Sequence, residues 1–128
     1  MKELKTALLI IDHGSKRKKA NYMLFELVKM LRTARPDLIV YGAHMELAVP
    51  TIIDGVNWCV KNGATHIIAH PYMLSPGRHA TEDIPNLVKE ALVIHPTVTH
   101  SVTPPLGIDA NIVSLILKRA QLNGSVTT

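Results

Sequence analysis

Three separated stretches gather groups able to do chemistry: Asp12-His13-Gly14-Ser15, His44-Met45-Glu46, and the segment from His70 to His79. Neutral imidazole is the commonest side-chain ligand for borderline divalent metals such as iron, cobalt, nickel and zinc. Histidine and glutamate also act as general bases near neutral pH. A set of only two or three protein ligands would be open, which suits a metal that arrives and leaves. His13 and His79 are the foremost candidates, with Glu46 as the accompanying carboxylate. Directly after the first histidine comes Lys16-Arg17-Lys18-Lys19. Such a run ordinarily reads as a solvated helix start. Cations at a helix N-terminus oppose the macrodipole, however, so charge kept there suits an anionic ligand. Arg78 could add to the same field.

The elements that must position these groups alternate. An unbroken apolar run at 7–11 predicts a strand buried on both faces of a parallel sheet. A helix follows from about 18, with Leu24, Leu27, Val28 and Leu31 on one face and Pro36 beyond its end. A second strand is expected at 38–43, running out to His44. Pro50 stands at a first helical position, Ile52, Ile53, Val56 and Val60 form a stripe, and Gly63 suits the C-terminal cap. The third strand is expected at 65–69. The next helix carries Ile84, Leu87, Val88, Ala91 and Leu92. A short fourth strand at 98–102 leads into Pro104-Pro105-Leu106-Gly107, and Asp109 can cap a last helix with Ile112, Val113, Ile116 and Leu117 inward. This is an α/β fold, a four-stranded parallel sheet flanked by helices in one domain over 1–122, with a frayed tail at 123–128.

Open parallel sheets bind ligands at the carboxyl ends of their strands. His13 and Ser15, His44 and Glu46, and the segment from His70 to His79 all fall on that edge. The opposite edge carries ordinary connections. Tyr72, Met45 and Met73 read as pocket lining, and Trp58 and Cys59 as helix packing. His95 and His100 read as surface or structural, and His66 as a packed or partner-bonded histidine. For His44 and His70 both a structural and a functional role stay open.

Composition narrows the classes further. A chain of 128 residues, 47% apolar and 19% charged, can bury one core but holds no separate cofactor domain. No apolar run is long enough for a bilayer, and no leader pattern opens the chain. A single cysteine, Cys59, excludes a disulfide framework or a cysteine-rich metal site within one chain. A cytoplasmic protein is the expectation. The excess of 14 − 10 = +4 charges is mild and aromatics are 4%, so a small anionic ligand fits better than nucleic acid.

Four segments also carry a family resemblance: 12–18 (Asp-His-Gly-Ser-Lys-Arg-Lys), 44–52 (His-Met-Glu-Leu-Ala-Val-Pro-Thr-Ile), 76–85 (Pro-Gly-Arg-His-Ala-Thr-Glu-Asp-Ile-Pro) and 104–107 (Pro-Pro-Leu-Gly). In order and spacing they resemble the short-form class II chelatases, which insert a divalent metal into sirohydrochlorin. The resemblance runs from about residue 6 to 121 and looks most like the siroheme ferrochelatase branch. It implies that His13 and His79 bind the metal and that Glu46 is the second-loop acid. Relatives often have Glu where this chain has Val49, and a small or apolar residue in place of His70.

The resemblance further implies a flat, carboxylate-edged macrocycle as substrate. Lys16, Arg17 and Arg78 would meet its carboxylates and Met45, Tyr72, Met73 and Leu74 its flat face, with Ser15 a further substrate-binding residue. His13 and His79 would hold the metal, release it and accept protons, with Glu46 either the next acceptor or an orienting group. The metal is substrate, and neither a stored cofactor nor a nucleotide is expected. A homodimer with its pocket between facing edges is implied, with no nucleic-acid or membrane partner. Iron leads, and cobalt or nickel insertion is the alternative, since affinity order alone does not select iron. A non-catalytic metal or tetrapyrrole carrier is a second alternative. Phosphoryl transfer through His13 is the weakest, because no Walker A, Gly-x-Gly-x-x-Gly or Gly-x-Ser-x-Gly motif is present.

Overall fold

The computed structural model describes residues 3–122. Four strands, β1 (Thr6–Asp12), β2 (Ile39–His44), β3 (His66–Pro71) and β4 (Thr99–Val102), form one parallel sheet in the order β2-β1-β3-β4. The helices are α1 (Lys18–Ala34), α2 (Ile52–Lys61), α3 (Ile84–Ala91) and α4 (Ala110–Arg119), and a π-helical turn at His79–Asp83 runs directly into α3. The tail expected at 123–128 lies outside the described residues.

Strand alternation sorts the sheet into two faces. Ala7, Leu9, Ile11, Ala43, Ile67 and Ala69 are buried with Ile52, Val56 and Cys59 of α2 and Ile84 and Val88 of α3. On the other face α1 lies over β2. A Cβ at Gly42 would stand 3.0 Å from the Leu24 side chain, so glycine is what allows α1 so close. Of the helical residues read as packing, Cys59 is buried and the Trp58 ring stacks on Tyr41 at 4.2 Å.

Local chemistry adjusts several expected boundaries. The second helix begins at Ile52, because Thr51 forms a capping box with Asp54 and Pro50 stays outside. Strand β3 extends through Pro71. Its neighbour β4 pairs only as far as Ala69↔Val102, so at Pro71 the missing N–H faces no ladder on that side. Gly63 takes a positive φ of 102° just past α2, and Asp109 accepts from the Asn111 N–H at 2.8 Å, both as their residue types suggest.

The last helix departs from expectation. Ile112, Val113, Ile116 and Leu117 do not turn into a core: no α4 residue is buried, and Val113 and Ile116 are 40% and 61% exposed. Helical periodicity identifies an apolar face but not what covers it.

Candidate functional site

All the chemistry-bearing loops leave the sheet at its carboxyl edge. Beyond β1 the ladder continues into the loops, with Met45 N–H donating to Asp12 O at 2.9 Å and Glu46 N–H to His13 O at 3.2 Å. The chain between His44 and Pro50 then bulges outward and returns, since His44 N–H donates to Pro50 O at 2.8 Å. Gly14 makes this junction possible. Its φ is +91°, and a Cβ there would lie 1.8 Å from the Glu46 carbonyl oxygen. Glycine at this position lets the His13 loop and the Glu46 loop touch.

Three of the expected residues are thereby brought together. Nε2 of His13 lies 3.0 Å from Glu46 Oε1, both side chains being about half exposed. The His13 and His79 rings meet edge-on, with centroids 4.7 Å apart and an interplanar angle of 72°. Nδ1 of His79 lies 2.8 Å from Asp83 Oδ2. An ionised carboxylate can only accept, so the nitrogen facing it carries the hydrogen. That assignment leaves the Nδ1 lone pair on neutral His13 and the Nε2 lone pair on neutral His79. Among the described residues no group of three His, Cys, Asp or Glu is placed to hold a metal ion. Two imidazoles with carboxylates behind them make an open pair, not a cage.

A groove of about 270 Å³, lined by Met45, Glu46, His79, Asp83, Asn86 and Leu87, opens beside this pair. Asp83 is the residue that sequence reasoning missed. The signal was its i,i+4 spacing from His79, which one turn of helix converts into contact. The turn holding both is π-helical, a geometry that recurs at functional sites.

The remaining candidates divide. Ser15 and Lys16 line a different groove beside α1. The Ser15 hydroxyl accepts from the Arg17 N–H at 3.0 Å, and Asn21 bonds both backbone groups of Ser15, so this residue shapes the loop. Arg17 is the residue preceding α1, with no side-chain cap, and the first turn carries no acidic residue. Arg78 lies 3.7 Å from Glu82 on the surface. Tyr72 and Leu74 are exposed at the edge, whereas Met73 is partly buried and packs against the core. The Pro-Pro-Leu-Gly turn braces this loop, with Leu106 N–H donating to Met73 O at 2.9 Å and Gly107 N–H to Leu74 O at 2.8 Å.

The other histidines are partnered elsewhere. His66 lies 2.7 Å from the Thr99 hydroxyl, His70 2.7 Å from that of Thr103, and His95 2.7 Å from the Asn57 side chain. Burial lowers the pKa of His70, and its ring sits on the sheet face away from α2 and α3. His44 is fully buried. Its Nδ1 is 2.6 Å from Asp12 Oδ1, and its Nε2 has no partner. An unpaired buried polar atom costs about 1–3 kcal/mol, so this one calls for an explanation.

With this geometry established, the chain matches the CbiX family model over residues 7–122. The chain belongs to the CbiX family. It is 40% identical over 114 residues to the chloroplastic sirohydrochlorin ferrochelatase of Arabidopsis thaliana, a match covering 89% of this chain and 51% of the plant protein. It is 29% identical over 124 residues to the sirohydrochlorin cobaltochelatase of Methanosarcina barkeri, covering 91% of this chain and 95% of that relative. Among solved structures, the sirohydrochlorin chelatase SirB from Bacillus subtilis subspecies spizizenii, in complex with cobalt, superposes with a TM-score of 0.85 at 33% identity, over 92% of this chain and 50% of SirB. The chain thus spans about half the length of the plant and Bacillus proteins. The α/β fold expected from the residues, a four-stranded parallel sheet flanked by helices, is the one observed. No helix among the described residues is long and apolar enough to cross a membrane.

Proposed function

We propose that this chain is a sirohydrochlorin chelatase that inserts a divalent metal, Fe²⁺ in first place, with release of two protons. The observation that carries the reading is the edge-on approach of His13 and His79 at 4.7 Å, each ring held by its own carboxylate. Insertion exchanges two pyrrole N–H bonds for metal–nitrogen bonds. The protein must therefore hold the metal weakly and accept protons as the metal leaves. Two neutral imidazoles suit both tasks, because each lone pair that releases the metal becomes a base. Glu46, 3.0 Å from His13, is placed to orient that ring or take its proton onward.

The basic residues Lys16, Arg17 and Arg78 are the cations offered to the macrocycle's carboxylates. Met45 in the groove wall, with Tyr72 and Leu74 on the exposed edge, offers apolar surface to its flat face. Ser15 shapes the loop that carries Lys16. In this proposal the metal is substrate, and the chemistry needs no stored cofactor or nucleotide. The setting is cytoplasmic.

A macrocycle is large for one sheet edge, and the proposal places the pocket between two copies of the chain. The exposed apolar face of α4 supports this. So does a match that fills half of SirB but nearly all of the archaeal relative. The cobaltochelatase of M. barkeri and the cobalt in SirB favour a second reading, in which cobalt is inserted instead. An anaerobic absorbance assay with sirohydrochlorin in large excess over protein separates the readings. Catalytic spectral change with Fe²⁺ supports the proposal, faster change with Co²⁺ supports the second reading, and a shift limited to one equivalent of protein identifies a carrier.

A further inference from the structure

A second groove, of about 460 Å³, opens on the α1 side of the sheet between α1 and the bulge after β2. Lys16 and Lys18 stand at its rim, Tyr22, Phe25 and Leu47 form apolar walls, and His44 lines it from within the protein. His44 is 0% exposed, and its Nε2 is the one buried side-chain polar atom without a partner among the described residues. The other ring nitrogen is committed, since Nδ1 lies 2.6 Å from the Asp12 carboxylate and donates to it. Asp12 thereby fixes Nε2 as the ring nitrogen left without a partner. The Phe25 ring, 6.2 Å away at 72°, presses edge-on against the same imidazole and helps hold it in place.

Each feature restricts what the groove can take. A purely apolar occupant would leave Nε2 unpaired. A cation would meet two lysines, one just before the helix and one at its start, and the first turn carries no acidic residue. What satisfies rim, walls and floor together is an acid group on a short methylene arm.

We propose that this groove is a carboxyl-binding subsite: His44 Nε2 shares one proton with a carboxyl oxygen, Lys16 and Lys18 face the charge, and the apolar walls enclose the aliphatic arm. Only the source of the carboxyl group depends on the function proposed above. It is either an arm of a macrocycle seated over His13 and His79, or a free small carboxylic acid. The groove stands close to the histidine pair, for His13 directly follows Asp12 in the chain. A Cβ on Gly14 would also lie 3.2 Å from the His44 Cβ.

The test uses propionate as probe and methyl propionate as control, followed by the ring NMR signals of His44 in the native protein. Propionate is expected to shift the His44 signals saturably while methyl propionate leaves them in place. Lys18→Gln, a surface change that leaves His44 intact, is expected to weaken propionate about two- to fivefold, as for one exposed charge contact. His44→Gln is expected to abolish the saturable response of the neighbouring Phe25 signals. Sirohydrochlorin that displaces propionate identifies the arm of the macrocycle as the source; propionate binding undisturbed by it identifies a free acid. Equal shifts with the ester, or no saturable shift with either propionate or sirohydrochlorin, would overturn the proposal. Because propionate binding is read without turnover, failure here is distinguishable from failure of the chelatase reading.

Discussion

Asp83 accepts a 2.8 Å hydrogen bond from Nδ1 of His79 within a single π-helical turn. The bond fixes the tautomer of the ring and leaves Nε2 as the nitrogen that the proposed metal would meet. Groups behind a ligating histidine raise its basicity and hold its orientation, and losing one typically lowers metal affinity about 10–100-fold. Asp83→Ala is therefore expected to weaken Co²⁺ binding, measured by optical titration, by about tenfold or more. The thermal transition should move little, because Asp83 is partly exposed. Unchanged Co²⁺ affinity would show that His79 needs no such support.

The second prediction concerns α4. Ile116 is 61% exposed on a helix with no buried residue, which is an apolar surface awaiting a cover. If a second copy supplies it, Ile116→Glu should shift the mass in solution from dimer to monomer. Turnover should fall with it while the far-ultraviolet spectrum is kept. Light scattering reads the mass directly. A native protein that is monomeric and fully active would remove the dimer from the mechanism.

Cys59 gives a prediction in pH. Burial pushes its thiol up to about 12, the Arg32 charge opposing only in part. The folded state therefore keeps this proton where the unfolded chain releases it, near the ordinary value of 9.0. A folded-state pKa raised in this way gives stability that is complete below about 9 and lost as the pH climbs toward 12. Below that window the thiol should be inert to a disulfide reagent in native protein and reactive at once in denaturant. Rapid native labelling at pH 8 would contradict the burial.

Much of this arrangement was legible in the residues. The continuous apolar run of β1 and the four strand–helix alternations define a parallel sheet, and the polar residues between them then fall on one edge. That logic located His13, Glu46 and His79. The strand order β2-β1-β3-β4 was not legible, since periodicity fixes each element's faces but not its neighbours. Asp83 escaped because the helix was read from its apolar stripe, Ile84 to Leu92, so the one-turn spacing from His79 carried no weight. For His44 the sequence left structural and functional roles both open, because a histidine at a strand end can equally face solvent. Only the Asp12↔His44 register shows that both side chains enter the α1 face together. The apolar stripe of α4 was read correctly as a stripe and wrongly as core.

The most direct measurement is anaerobic, multiple-turnover metal insertion into sirohydrochlorin by native protein, His13→Ala and His79→Ala, compared at saturating Fe²⁺. Both histidines face solvent enough that alanine should leave the fold intact. Native protein is expected to turn over many equivalents, and each variant to lose about 100-fold or more, the range of a general base with its ligand role added. Full activity in both variants would contradict the assignment of the histidine pair as the site of insertion.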